Sequence, residues 1–246
     1  MRDFISTTFA LIGAAAAVPM PQEDPVGPVR ILPSFWTFDM VNFTGPGCPD
    51  FDSTKEVKTR PTFGMNTVDG TEIYYWHFAY PELRASIGPD VDREGSHTWC
   101  ETTLKYTEVE NYDTKKPKAD YRLKLHKNGT RMLANYQLDE GVQAKWGFTY
   151  YPEDEDEVVD QIVVNGPVDT LKSGQSDYSP TTKNSKRWAL PECGTGTIRF
   201  RTDLYVSSKT PKGKGTVASE RTTYKGEQYW YGAQQGVSYD WEKCKS

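Results

Sequence analysis

The stretch YRLKLHKNGTRMLANYQLDEGVQAKWGFTYYP, residues 121–152, alternates apolar and polar side chains with a period of two and carries Asn128-Gly129 near its middle. Asn-Gly between two alternating runs is the strongest short-range signal for a hairpin, because both residues accept the positive φ of a type I′ turn. A two-residue loop would set Lys127 opposite Thr130. Leu125 would then meet Met132, Leu123 would meet Ala134 and Tyr121 would meet Tyr136, all on one face. Arg122, Lys124 and His126 fall on the other face. After Asp139-Glu140-Gly141 the same period continues through Val142, Ala144, Trp146, Phe148 and Tyr150. The reading is an antiparallel sheet with one buried face.

Outward from this stretch, other segments share the pattern. Phe35 to Phe43, Thr71 to Tyr80, Ser96 to Tyr106 and Val158 to Val164 read as strands. Thr197 to Val206 sets Ile198, Phe200, Leu204 and Val206 on one face, with Arg199, Arg201 and Asp203 on the other. Thr216 to Tyr224 reads as a further strand, followed by an aromatic finish from Glu227 to Trp241, while 172–186 reads as a long loop. No helix is expected beyond residue 17 and no repeat is visible. Many short strands in one chain predict an all-β, antiparallel two-sheet β-sandwich.

The 246 residues include 7 Trp, 15 Tyr and 10 Phe, which suits a strand-built core of aromatic rings. All-β domains reach ~200–250 residues as one unit, so one domain is expected over 34–246. Net charge is −5, the isoelectric point about 5.4 and the mean hydropathy −0.71. Nothing in that balance favours nucleic acid or an anionic membrane.

Residues 1–17 read as a secretory signal peptide, with a weak basic start, an apolar run from Phe4 and small residues at Ala15 and Ala17. The run is too short to span ~30 Å of hydrocarbon, and no other stretch is a membrane span. Residues 18–33 form a proline-rich leader with five prolines. Cys48, Cys100, Cys193 and Cys244 then belong to an oxidising compartment, where disulfides are expected. Three connectivities are possible, and Cys48–Cys100 with Cys193–Cys244 is the expected one, each closing one half of the chain. Asn42-Phe43-Thr44 and Asn128-Gly129-Thr130 are glycosylation sequons, the second placed on the expected hairpin tip.

Candidate chemistry is sparse. Of the three histidines, His77 sits in an aromatic strand, His97 lies near Cys100 and His126 is on a polar face. No metal motif, nucleophile elbow or phosphate loop occurs, so no catalytic residue, metal ligand or cofactor is assigned. Glu101 and Asp139 are the carboxylates to inspect for a glycosidase pair, although Asp139 in its turn is expected to bond its own backbone. The acidic run Glu153 to Glu157 lacks the spacing of a calcium loop and reads as a solvated charge run. Tyr229-Trp230-Tyr231 offers rings for ligand stacking, with at least one of them expected in the core because strand neighbours alternate.

Several marks occur together: Gly47-Cys48-Pro49, Cys100 in a strand, Leu138-Asp139-Glu140-Gly141-Val142, Tyr150-Tyr151, Cys193-Gly194 and the terminal Trp241 to Cys244. In this order they resemble a secreted fungal and bacterial family known as domain of unknown function 4360, over about residues 35–246. The sequence departs from the family's pattern where Tyr136-Gln137 precedes the Leu-Asp element without an intervening Arg-Gly. The resemblance implies secretion, a β-rich fold and two disulfides, and implies no activity. Two readings follow. The first is a secreted, non-enzymatic binding protein acting at a cell wall or host surface, with polysaccharide or an extracellular protein as partner. The second is a secreted carbohydrate-active hydrolase with a carboxylate site.

Overall fold

A computed structural model describes residues 35–68, 71–91, 96–151, 158–170, 176–178, 188–189 and 192–245. The signal segment 1–17, the leader 18–33 and the acidic run 153–157 lie outside the described residues.

The chain forms an all-β sandwich of antiparallel sheets. One sheet has the order β1 (Phe35–Thr44), β5 (His97–Val109), β13 (Thr195–Ser208), β8 (Val142–Tyr151) and β9 (Val158–Asn165). Facing it is the order β11 (Ser176–Tyr178), β6 (Tyr121–Ala134), β17 (Ala233–Lys243), β3 (Thr71–Tyr80) and β2 (Arg60–Val68), with β12 (Trp188–Ala189) also on β6. A smaller sheet joins β10 (Val168–Asp169), β7 (Tyr136–Leu138), β14 (Gly215–Val217) and β4 (Ala85–Ile87). The hairpin β15 (Arg221–Tyr224) and β16 (Glu227–Trp230) stands as a sheet of its own. The segment 216–224, expected as one strand, is therefore two strands in two sheets.

The expected hairpin at Asn128-Gly129 does not form. β6 runs through it as one 14-residue strand, with β17 on one side and β11 and β12 on the other. Thr130 pairs Val237 and Leu125 pairs Tyr239, so residues 126–129 bulge opposite the single residue Ser238. A folded-back turn would have left β17 without this partner, and ladder pairing along both edges outweighs a local turn preference. The Leu123–Ala134 and Tyr121–Tyr136 pairs are replaced accordingly. The faces survive the change: Leu123, Met132, Ala134 and Tyr136 are buried, while Arg122 and Lys124 reach Glu242 on β17. The side chains of Leu125, His126 and Asn128 lie outside the described residues, and the hairpin tip on which Asn128 was placed is absent. Asn42 is exposed, next to a bulge in edge strand β1.

β7 and β8, expected as neighbours, belong to different sheets and meet at a corner. There the Asp139 carboxylate accepts a hydrogen bond from the backbone N–H of Lys214 at 2.9 Å, bracing β14 rather than its own turn.

Between the large sheets the core is aromatic. Val142, Ala144, Trp146, Phe148 and Tyr150 are all buried from β8, and Ile198, Phe200, Leu204 and Val206 from β13. Phe78 packs on Phe200 at 5.3 Å between ring centroids, and Tyr150 on Phe200 at 5.6 Å. Each such ring buries on the order of 150–250 Å², an upper bound of about 4–6 kcal/mol at ~25 cal/mol per Å². Polar groups cross the same interior in pairs. Thr202 donates to Gln235 at 2.6 Å, and Asp160 accepts from both the N–H and the hydroxyl of Thr130. Trp146 donates its indole N–H to the Tyr136 hydroxyl at 2.8 Å, which removes the cost of burying either group alone.

The disulfides are Cys48–Cys100 and Cys193–Cys244. Their sequence separations of 52 and 51 residues correspond to roughly 4 kcal/mol each in the chain-entropy account.

Candidate functional site

The β15–β16 hairpin turns through Lys225-Gly226, both at positive φ (51° and 84°), with Tyr224 and Glu227 paired across it. This is the two-residue geometry of a type I′ turn. Its signal in the sequence was the Lys-Gly dipeptide between polar-aromatic runs, weaker than the Asn-Gly that forms no turn. The hairpin leaves the sandwich after Glu220 and returns at Gly232, where Tyr231 donates its N–H to the Glu220 carbonyl at 2.9 Å. Gly232 has φ +71°, and a Cβ there would lie 2.1 Å from the Tyr80 carbonyl oxygen, so only glycine lets the chain pass this close to Tyr80-Pro81.

A groove of about 600 Å³ opens between this hairpin and the sandwich. It is lined by Glu56, Val57, Arg60, Ala79 and Pro81 and, from the hairpin and the start of β17, by Thr222, Thr223, Tyr224, Trp230, Tyr231 and Gln234. The loop carrying Glu56 is pinned by Asp50, whose carboxylate accepts from the Thr59 N–H at 2.9 Å and the Thr59 hydroxyl at 2.7 Å. Lys225 reaches across from the hairpin tip to Glu56 at 2.6 Å.

None of the three rings singled out from the sequence is in the core. Trp230 is half-buried and carries two guanidiniums, Arg221 and Arg84, each 4.2 Å from its ring centroid. Arg221 is its direct cross-strand partner. Tyr231 is 44% exposed and Tyr224, which sequence reading passed over, 48%. Tyr229 points its hydroxyl to Glu227 and is not part of the groove lining. The expectation of a buried ring fails because the hairpin is a two-stranded sheet of its own, paired with no strand of the sandwich, and its rings are at most half-buried. The groove thus combines two exposed phenol rings, an indole fixed by cation–π contacts, a guanidinium, a carboxylate and an amide.

The other candidates are placed apart. Glu101 lies on the outer face of β5, 3.8 Å from Arg199, while Asp139 braces the β7–β8 corner; they do not share a cleft. His97 bonds Asp203 at 2.9 Å and stacks on Tyr205 at 4.1 Å, on the same outer face. Arg201 grips Asp203 with two N–H groups and lies 4.2 Å over Trp99. These contacts hold the Asp203 carboxyl below its ordinary value although burial works against its charge. In this cluster each charged group has its partner, which makes it a brace across β5 and β13. His77 is half-buried in β3, its pKa lowered by burial and then by Arg131. Among the described residues no group of three or more His, Cys, Asp or Glu is gathered as a metal site, and no helix is long and apolar enough to cross a membrane.

No known family profile and no curated protein matches the chain. Two solved structures align weakly. One is TmCBM61 in complex with β-1,4-galactotriose, at 8% identity, covering 85% of this chain and 88% of that one with a TM-score of 0.22. The other is the enzymatically active domain of bacteriophage CBA120 tailspike protein 4, at 14% identity, covering 84% of this chain and 19% of that one with a TM-score of 0.17. Neither likeness is close enough to carry an argument about fold or function.

Proposed function

We propose that this chain is a non-enzymatic, extracellular glycan-binding protein whose binding site is the groove between the β15–β16 hairpin and the sandwich. The observation that carries the reading is the pairing of exposed Tyr224 and Tyr231 on one groove with Thr222, Thr223, Gln234 and Arg60. A sugar presents C–H groups on its ring faces and hydroxyls around its rim. It asks for rings to stack on and for polar groups to one side, which is the composition of this lining. The groove's carboxylate, Glu56, is engaged by Lys225, and the hydrolase alternative would require two carboxylates held ~5–9.5 Å apart across a bond. Two disulfides, each closing about fifty residues, support an oxidising, extracellular setting.

The test is a glycan array on the purified chain, followed by calorimetric titration of the best ligand against Tyr224→Ala and Tyr231→Ala. Each truncation is expected to weaken binding by about three- to tenfold, the size of one ring contact, with circular dichroism unchanged. Absence of any glycan binding, or wild-type affinity in both variants, refutes the proposal.

A further inference from the structure

We infer that the groove selects an acidic glycan, one carrying a carboxylate on its sugar ring, and that Arg60 and Arg221 read that carboxylate. The inference rests on the glycan-binding reading above and adds the ligand's charge.

It follows from charge bookkeeping around the groove. Glu56 is neutralised by Lys225 at 2.6 Å, and Arg84 by Glu82 at 3.3 Å. Glu220 and Glu227 keep their charge, accepting from the Asn135 amide at 2.7 Å and the Tyr229 hydroxyl, but neither lines the groove. Two guanidiniums remain. Arg60 lines the groove and spends one N–H on the Lys58 carbonyl at 3.3 Å. Arg221 lies against Trp230, itself part of the lining. Among the described residues neither has a carboxylate within ion-pair distance. Of the charged side chains that line the groove, Glu56 is paired and Arg60 is not, so the lining offers a free cation to a ligand although the chain's net charge is −5.

The geometry suits a carboxylate in particular. Stacking on an indole engages the flat face of a guanidinium and leaves its N–H edge free for an acceptor in the plane. A carboxylate's two oxygens match that fork, whereas a neutral hydroxyl uses one donor and gains nothing from the charge. The stacking also removes rotamer freedom from Arg221 before a ligand arrives, so less is lost on binding.

A matched pair of probes tests this: a β-1,4-glucan oligosaccharide and the same oligosaccharide oxidised at C6 to the glucuronate, titrated into the wild-type chain, Arg60→Gln, Arg221→Gln and the double variant. Tighter binding of the uronate by tenfold or more is expected. That preference should shrink with added salt and be lost in the double variant, whose fold is checked by circular dichroism. Equal affinity for the two probes overturns the inference and leaves the glycan-binding reading standing. A uronate preference that survives the double variant overturns the assignment of Arg60 and Arg221. Binding of neither probe, nor of any glycan on the array, overturns both.

Discussion

Glu108 is a fully buried carboxylate near the end of β5, and its removal should be among the most damaging single changes in the chain. Its Oε2 accepts the backbone N–H groups of both Asp120 and Tyr121, each at 2.9 Å, where the chain re-enters the sandwich at the start of β6. Its Oε1 lies 3.5 Å from the Lys118 ammonium, which also sits 3.3 Å from Asp120. The same junction holds the second disulfide, since Cys244 donates to the Asp120 carbonyl and Gly194 to that of Tyr121. A hydrogen bond to a charged acceptor contributes ~1.5–3 kcal/mol, and a buried donor left unpaired costs ~1–3 kcal/mol. Two such bonds set the expected loss for Glu108→Ala at about 3–5 kcal/mol. Glu108→Gln keeps a carbonyl oxygen for the two N–H groups and loses only the charge, so its cost should be about 1–2 kcal/mol. Urea unfolding with the disulfides intact measures both, read as midpoint shifts at constant slope. A Glu108→Ala loss below about 1 kcal/mol would show that water satisfies the two amides and that the buried carboxylate does not hold the junction.

Three further outcomes follow. Because Asp203 titrates below its ordinary 3.8 when folded, its contribution is present above that pH and lost as pH falls through the folded value; Asp203→Asn should flatten the acid end of a stability-against-pH curve. Burial holds the hydroxyls of Tyr80 and Tyr150 well above 10.0, so the unfolded chain ionises them first and stability should fall as pH rises past about 10, seen as tyrosinate absorbance appearing with unfolding. Peptide mapping without reduction should link Cys48 to Cys100 and Cys193 to Cys244, and replacing either pair with serine should cost roughly 4 kcal/mol.

The alternation of faces was legible in the sequence wherever one face is buried. Ile198, Phe200, Leu204 and Val206 are interior, and Arg199 and Arg201 face out, because a period of two is built into each extended residue and needs no partner to be read. The favoured disulfide pairing, one bridge in each half of the chain, is the one that forms, although chain order by itself leaves three connectivities open. Partnership between strands was not legible in the same way. Asn128-Gly129 carried the better turn signal, yet β6 stays extended because β17, more than a hundred residues later, offers a ladder along its length. At Lys225-Gly226 no distant strand competes, and the weaker signal makes the turn. Local preferences of this kind amount to about 1 kcal/mol, and long-range pairing decides between them.

The groove belongs to the second kind. Tyr229, Trp230 and Tyr231 were visible as rings, and alternation separated Tyr229 from Trp230. How far their hairpin is covered depends on where it leaves the sandwich, at Glu220 and Gly232. Glu56, Arg60, Pro81 and Tyr224 join the same cavity from segments far apart in the chain. By itself the sequence determined the strand class and the buried faces, since both rest on local periodicity, while chain order left three cysteine pairings open. The tertiary structure alone decided the strand partners and the composition of the groove, since both arise from contacts between residues that no short-range spacing connects.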